Sequence, residues 1–188
     1  TYNNHLNYDA EEGAIDRTFT ANDKVTIEKY DDGTSYFEVM AADGSDICSL
    51  YFIAEEFDNE ITFMPGTYEI NNSEDYMTVL ASVGVVGQSI YPSFYGFMSE
   101  DGKGIVTPLY FLVGGTVEVE NRNGKLYIEV NAVNSYDVPV HIVFDGTKGS
   151  TDLENISTAT TATKMINNGQ LVITRGGKVY NAQGAQVK

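Results

Sequence analysis

The sequence predicts an all-β protein, and three observations carry that expectation. Short apolar and polar alternations of strand length recur from residue 24 to residue 144, and turn dipeptides separate them. No window carries the 3.6-residue apolar stripe of a helix. Tyr, Thr, Asn, Gly and Val are plentiful, which suits a pleated, half-buried surface with many turns. The finer expectation is an antiparallel β-sandwich with an internal pseudo-repeat, followed by a small C-terminal β-meander.

Residues 1–14 are polar and without periodicity, and are expected to form a flexible N-terminal arm. The sandwich domain is expected over 15–148. Its strands are expected near 24–30, 35–41, 47–57, 60–64, 67–71, 76–82, 89–98, 105–113, 116–120, 125–133 and 138–144. The turns between them are Asp32-Gly33, Asp43-Gly44, Pro65-Gly66, Asp101-Gly102, Gly114-Gly115, Asn123-Gly124 and Asp145-Gly146. Asp-Gly and Asn-Gly supply the positive φ angles that tight hairpins need.

Residues 26–54 align with 116–145. Gly33, Tyr36, Glu38, Val39, Ala41 and Asp46 match Gly124, Tyr127, Glu129, Val130, Ala132 and Asp137, and Thr26 and Glu28 match Thr116 and Glu118. Each copy reads as a strand, a Gly turn, a half-buried strand, a polar turn and an apolar strand. On this alignment His141 takes the place of Leu50. Two copies so far apart argue for a symmetric sandwich and against a solenoid.

Charge divides the chain. Residues 155–188 hold four bases and no acid, while all 27 acids precede them beside seven bases. A Thr/Ser-rich linker is expected over 149–163 and a β-tail over 164–188. The net charge of −16 argues against a nucleic-acid partner, because phosphate binding needs a basic face. No apolar run is long enough to span a membrane as a helix. The chain opens at Thr1 rather than Met, which leaves a removed leader and a trimmed chain both open, so it does not argue for the cytosol. Cys48, the single cysteine, can form no internal disulfide and is expected to be a buried thiol.

The candidate chemistry is sparse, and no catalytic residue, metal site or cofactor is expected. His5 and His141 are the only histidines; His5 falls in the N-terminal arm, and His141 falls in the strand 138–144 and reads as structural. Among many carboxylates, Glu38 and Glu129 form the best pair for glycoside hydrolysis, which needs carboxyls about 5–9.5 Å apart. Both fall on solvent-facing strand positions. The acidic turns at Asp31-Asp32 and Asp43 to Asp46 lack the spacing of a calcium loop. The aromatic run from Ile90 to Phe97 is the candidate binding surface, with Tyr91, Phe94 and Tyr95 as contact residues for a glycan or a protein.

The tail carries Asn168-Gly169-Gln170, Val172-Ile173, Arg175, Gly177-Lys178-Val179-Tyr180-Asn181, Gly184 and Val187-Lys188. These residues resemble the C-terminal sorting-type segment of secreted and surface proteins of Bacteroidetes bacteria. The body, through Pro65-Gly66-Thr67-Tyr68 and Gly115-Thr116-Val117, resembles the β-rich adhesin-type modules that precede such tails. The resemblance implies export to the periplasm, outer membrane or exterior, with Gly169, Arg175, Gly177, Tyr180, Asn181, Gly184 and Lys188 as sorting-type positions. The expected function is a non-catalytic exported interaction or adhesion module. A glycan-binding accessory protein and a carboxylate-based carbohydrate-active enzyme are the alternatives.

Overall fold

The computed structural model describes residues 8–30, 34–53, 63–86, 89–149, 163–167, 170–175, 178–181 and 186–187, with 85–91 and 163 onward described by backbone alone. The chain divides into two compact units, Thr1–Gly149 and Ser150–Lys188. The first unit holds β1 (Ile15–Thr20), β2 (Lys24–Lys29), β3 (Thr34–Met40), β4 (Asp46–Ile53), β5 (Gly66–Asn71), β6 (Thr78–Leu80) and β7 (Gly84–Val86). It continues with β8 (Ser89–Tyr91), β9 (Phe94–Met98), β10 (Ile105–Phe111), β11 (Gly114–Arg122), β12 (Lys125–Val133) and β13 (Pro139–Asp145). Every regular element among the described residues is a strand, so the fold is all-β.

The strand order is β1-β13-β12-β11-β5-β6-β4-β3-β2, with β9 pairing the other half of β4 and β10 pairing β9. The sheet is mixed rather than wholly antiparallel, because β1 runs parallel to β13 and β5 parallel to β6. The pair β5 and β6 joins two antiparallel meanders, β2-β3-β4 and β11-β12-β13, into one continuous sheet. Curling of that sheet, rather than stacking of two separate sheets, brings the apolar faces together as a half-barrel. Phe37 on β3 meets Phe144 on β13 with ring centroids 5.4 Å apart, although the two strands lie near opposite ends of the strand order. Burying each such Phe contributes roughly 1.5–3 kcal/mol.

The alternation expected of each strand sets the interior. Phe37 and Val39, Leu50 and Phe52, Tyr68 and Ile70, Val117 and Val119, Ile128 and Val130, and Val140 and Ile142 are all buried in one cluster. At one rim Arg17 of β1 reaches Asp46 of β4, with Nε at 2.6 Å from Oδ2 and Nη2 at 3.0 Å from Oδ1. Tyr95 donates its hydroxyl to the same carboxylate at 2.7 Å. A second small cluster, Ile47, Phe94, Leu109 and Phe111, lies on the other face of β4 and β9. Gly96 permits it, since a Cβ there would stand 2.8 Å from Ile105 Cγ2.

Sequence and structure differ at several elements. Residues 9 and 10 are not a flexible arm. Asp9 is buried and accepts from the amides of Phe111 and Ser135 and from Asn134 Nδ2, at 3.1, 2.8 and 2.9 Å. The Ala10 amide donates to the Leu109 carbonyl at 2.7 Å. Strand β1 was not expected, and Gly114-Gly115 opens β11 instead of forming a turn. The expected strand 60–64 and the linker 149–163 fall mostly outside the described residues.

The two meanders share a feature in register. Tyr36 donates to Glu38 on β3 and Tyr127 to Glu129 on β12, the latter at 2.8 Å. With these pairs matched, Thr26 and Glu118 hold equivalent places opposite them, two residues from the sequence alignment. His141, opposite Asn131, stands where Ile47 stands opposite Met40, not at the place of Leu50. The loops are equal in length, residues 41–45 and 134–138, but β12 runs on to Val133, past the point where β3 ends at Met40, and this shifts the match.

The second unit contains β14 (Thr163–Asn167), β15 (Gln170–Arg175), β16 (Lys178–Asn181) and β17 (Gln186–Val187), an antiparallel meander in chain order. Arg175 lies opposite Lys178, and Tyr180 opposite Ile173.

Candidate functional site

The connection from β5 to β6 builds an open concavity on the body. Parallel strands ordinarily need a crossover of about a dozen residues. Here the chain turns back within residues 72–77 because Glu74 and Met77 adopt φ of 57° and 62°. The Ser73 amide donates to Asn71 Oδ1 at 2.9 Å, and the Asp75 amide to Ser73 Oγ at 3.2 Å. The Met77 amide donates to the Ile53 carbonyl at 3.0 Å, and the Met77 carbonyl accepts from the Glu69 amide at 3.1 Å. Non-glycine residues rarely hold positive φ, and such strain gathers where a backbone is shaped for a task.

The result is an open groove of about 270 Å³ lined by Thr67, Glu69, Asn71, Ser73, Asp75, Tyr76, Met77 and Thr78. Thr67, Glu69 and Asn71 reach it because alternation on β5 sends Tyr68 and Ile70 into the core. Thr67 donates to Glu118 at 2.6 Å, which fixes its hydroxyl. Tyr76 is 47% exposed, and its hydroxyl contacts the sulfur of Met64. The lining thus offers hydroxyl, amide and carboxylate oxygens beside one accessible ring.

The residues expected to bind lie elsewhere. Phe94 is buried in the smaller cluster, and Tyr95 is buried against Asp46, its hydroxyl pushed to higher pKa by burial and then by that carboxylate. Neither ring faces solvent, because alternation on β9 sends one into each core. Tyr91 ends β8 opposite Gly84, and its ring lies outside the described residues. Of the sorting-type positions, Arg175 belongs to β15 and Tyr180 and Asn181 to β16, while Gly169, Gly177, Gly184 and Lys188 lie outside the described residues. Cys48 is buried, and burial raises its thiol pKa.

Glu38 and Glu129 do not converge. Five strand spacings of about 4.8 Å separate β3 from β12, on the order of 24 Å along a sheet curled away from that face. Glu129 instead accepts from Tyr127 and from His141 Nε2 at 3.2 Å, and both bonds hold its pKa down. His141 Nδ1 lies 2.9 Å from Asp16, and this contact leads in raising the imidazole pKa. Among the described residues no group of three His, Cys, Asp or Glu is placed to hold a metal ion. Among the described residues there is no helix long and apolar enough to cross a membrane.

A second accessible aromatic group was also missed in the sequence. Tyr30 stacks on Tyr51 at 6.3 Å, and Tyr51 meets Tyr36 at 4.9 Å, on the outer face of β2, β3 and β4. The signal was present in the spacing: the register brings Tyr36 opposite Tyr51. Tyr76 carries no such pattern, since it sits in a loop whose course depends on two left-handed residues. Compared with protein-family models, curated proteins and solved structures, the chain matches none.

Proposed function

We propose that the body is a non-catalytic interaction module, exported to the periplasm, outer membrane or cell exterior, and that its groove takes a glycan. The groove's chemistry carries this reading. Sugars offer a C–H face to an aromatic ring and hydroxyls to flanking oxygens, and Tyr76 lies beside Glu69, Asn71, Ser73 and Asp75. Carboxylates accept strongly from hydroxyl donors. The strand pair below the groove is anchored in the core through Tyr68 and Ile70, so little ordering is needed on binding. The export address rests on the tail's resemblance. The Tyr-Glu pairs in the two meanders support descent from one duplicated unit.

Isothermal titration of the full chain against a panel of oligosaccharides tests the reading. Tyr76→Ala is expected to weaken binding about tenfold, and Glu69→Gln by roughly 10- to 100-fold, with melting temperature unchanged. Silence across the panel, or binding indifferent to both changes, would leave a protein as the partner. Turnover of a bound oligosaccharide would replace the binding module with an enzyme.

A further inference from the structure

The strand β2 ends the sheet with unusual features for a protected edge. All six residues from Lys24 to Lys29 are exposed, and β2 pairs with β3 alone among the described strands. Val25 and Ile27 point to the interior side, opposite Val39 and Phe37. Yet they are 38% and 37% exposed, where their partners are 0% and 1%.

The phase of the ladder gives the backbone direction. The Tyr30 amide donates to the Thr34 carbonyl at 2.9 Å, so Tyr30 and Thr34 form a hydrogen-bonded pair. In an antiparallel ladder such pairs alternate with non-bonded ones. Glu28 with Tyr36, Thr26 with Glu38 and Lys24 with Met40 are therefore bonded, and the N–H and C=O of Val25 and Ile27 point away from β3. Apolar side chains and outward backbone groups thus coincide on the same two residues.

We infer that β2 is a self-pairing edge, which joins β2 of a second copy of this chain in an antiparallel two-fold pair centred on Ile27. The sequence Lys24-Val25-Thr26-Ile27-Glu28-Lys29-Tyr30 is complementary to itself in that register. Ile27 meets Ile27 of the second copy, Val25 comes opposite Lys29, Thr26 opposite Glu28, and Lys24 opposite Tyr30. No like charges face each other. The right-handed twist brings Lys24 toward the diagonal Glu28 of the second copy, and symmetry repeats the contact. In this register Lys24 also comes beside the Tyr30 ring of the second copy, a cation-aromatic arrangement. A six-residue strand covers less than the roughly 1,000 Å² of a permanent interface, so the dimer is concentration-dependent.

Sedimentation velocity of the full chain from about 5 to 500 μM measures it on the scale where such a weak constant falls. The expected result is a monomer shifting to a dimer across that range. Ile27→Pro removes an outward donor and no hydrogen bond to β3, and is expected to abolish the shift while keeping a cooperative melting transition. Lys24→Glu and Glu28→Lys are each expected to be monomeric alone, to form a mixed dimer when combined, and to dimerise again as a double variant. A wild-type chain monomeric throughout, a dimer insensitive to Ile27→Pro, or charge variants that do not rescue each other would overturn the proposal.

Discussion

His141 shows how one side chain ties three strands on the outer surface. It bridges Asp16 of β1 and Glu129 of β12 from its place on β13, and Asn131 is its direct neighbour across the ladder. The imidazole pKa is raised above 6.5 by the Asp16 hydrogen bond first, so this contribution is complete below 6.5 and fades as pH rises through the elevated value. The Glu129 pKa is lowered below 4.5, so its contribution holds above 4.5 and fades as pH falls through the depressed value. The two windows overlap between those ordinary values. The melting temperature of wild type is expected to exceed that of His141→Gln most near pH 5 to 6, with the gap closing toward pH 8.5 and narrowing in about 1 M salt. His141 is 39% exposed, so solvent screening keeps the gap small. A constant difference across pH would mean that packing, not charge, sets the effect.

At the level of elements, glycine separates turns from close approaches. Gly44 and Gly115 both have positive φ, 76° and 116°. A Cβ on Gly44 would meet nothing within 4 Å, whereas one on Gly115 would stand 2.1 Å from the Asn131 carbonyl oxygen. Gly44→Ala is expected to cost about 1 kcal/mol through backbone strain alone, and Gly115→Ala at least about 3 kcal/mol as β11 is pushed off β12. Urea unfolding of both variants checks the order. The sequence could not make this distinction, because Gly114-Gly115 has the composition of a turn while lying inside a ladder. What was legible was local: the Asn123-Gly124 hairpin, with φ of 57° and 79°, and the alternation of Leu126 through Val130. The parallel pairs were not legible. Strands β1 and β13 are about as far apart in sequence as the body allows, and neither bears a mark naming the other. The burial of Phe94 and Tyr95 was hidden for a related reason, since an aromatic run looks alike whether its rings enter a core or face a ligand. Tyr76 was invisible as a site residue until the β5 to β6 connection had a path.

For the whole molecule, the chain divides into two compact units. The acids all precede residue 155, and the boundary of compact units falls at Gly149. Deletion of Ser150–Lys188 is expected to leave the body a single cooperative transition within about 3 °C of the full chain. On the export reading, the same deletion changes where the protein is found on cell fractionation. Loss of cooperative melting would refute the independence of the body. The pairing of β1 with β13 bears on time rather than on place. The register joins Ile15 to Val140 and Thr20 to Asp145, so β1 waits for a strand made about 120 residues later. Until then the apolar face of β1 has no bonded neighbour, and the closure of such a long loop is slow. The sheet therefore stays unlatched at this edge until residues 140–145 are free to meet β1.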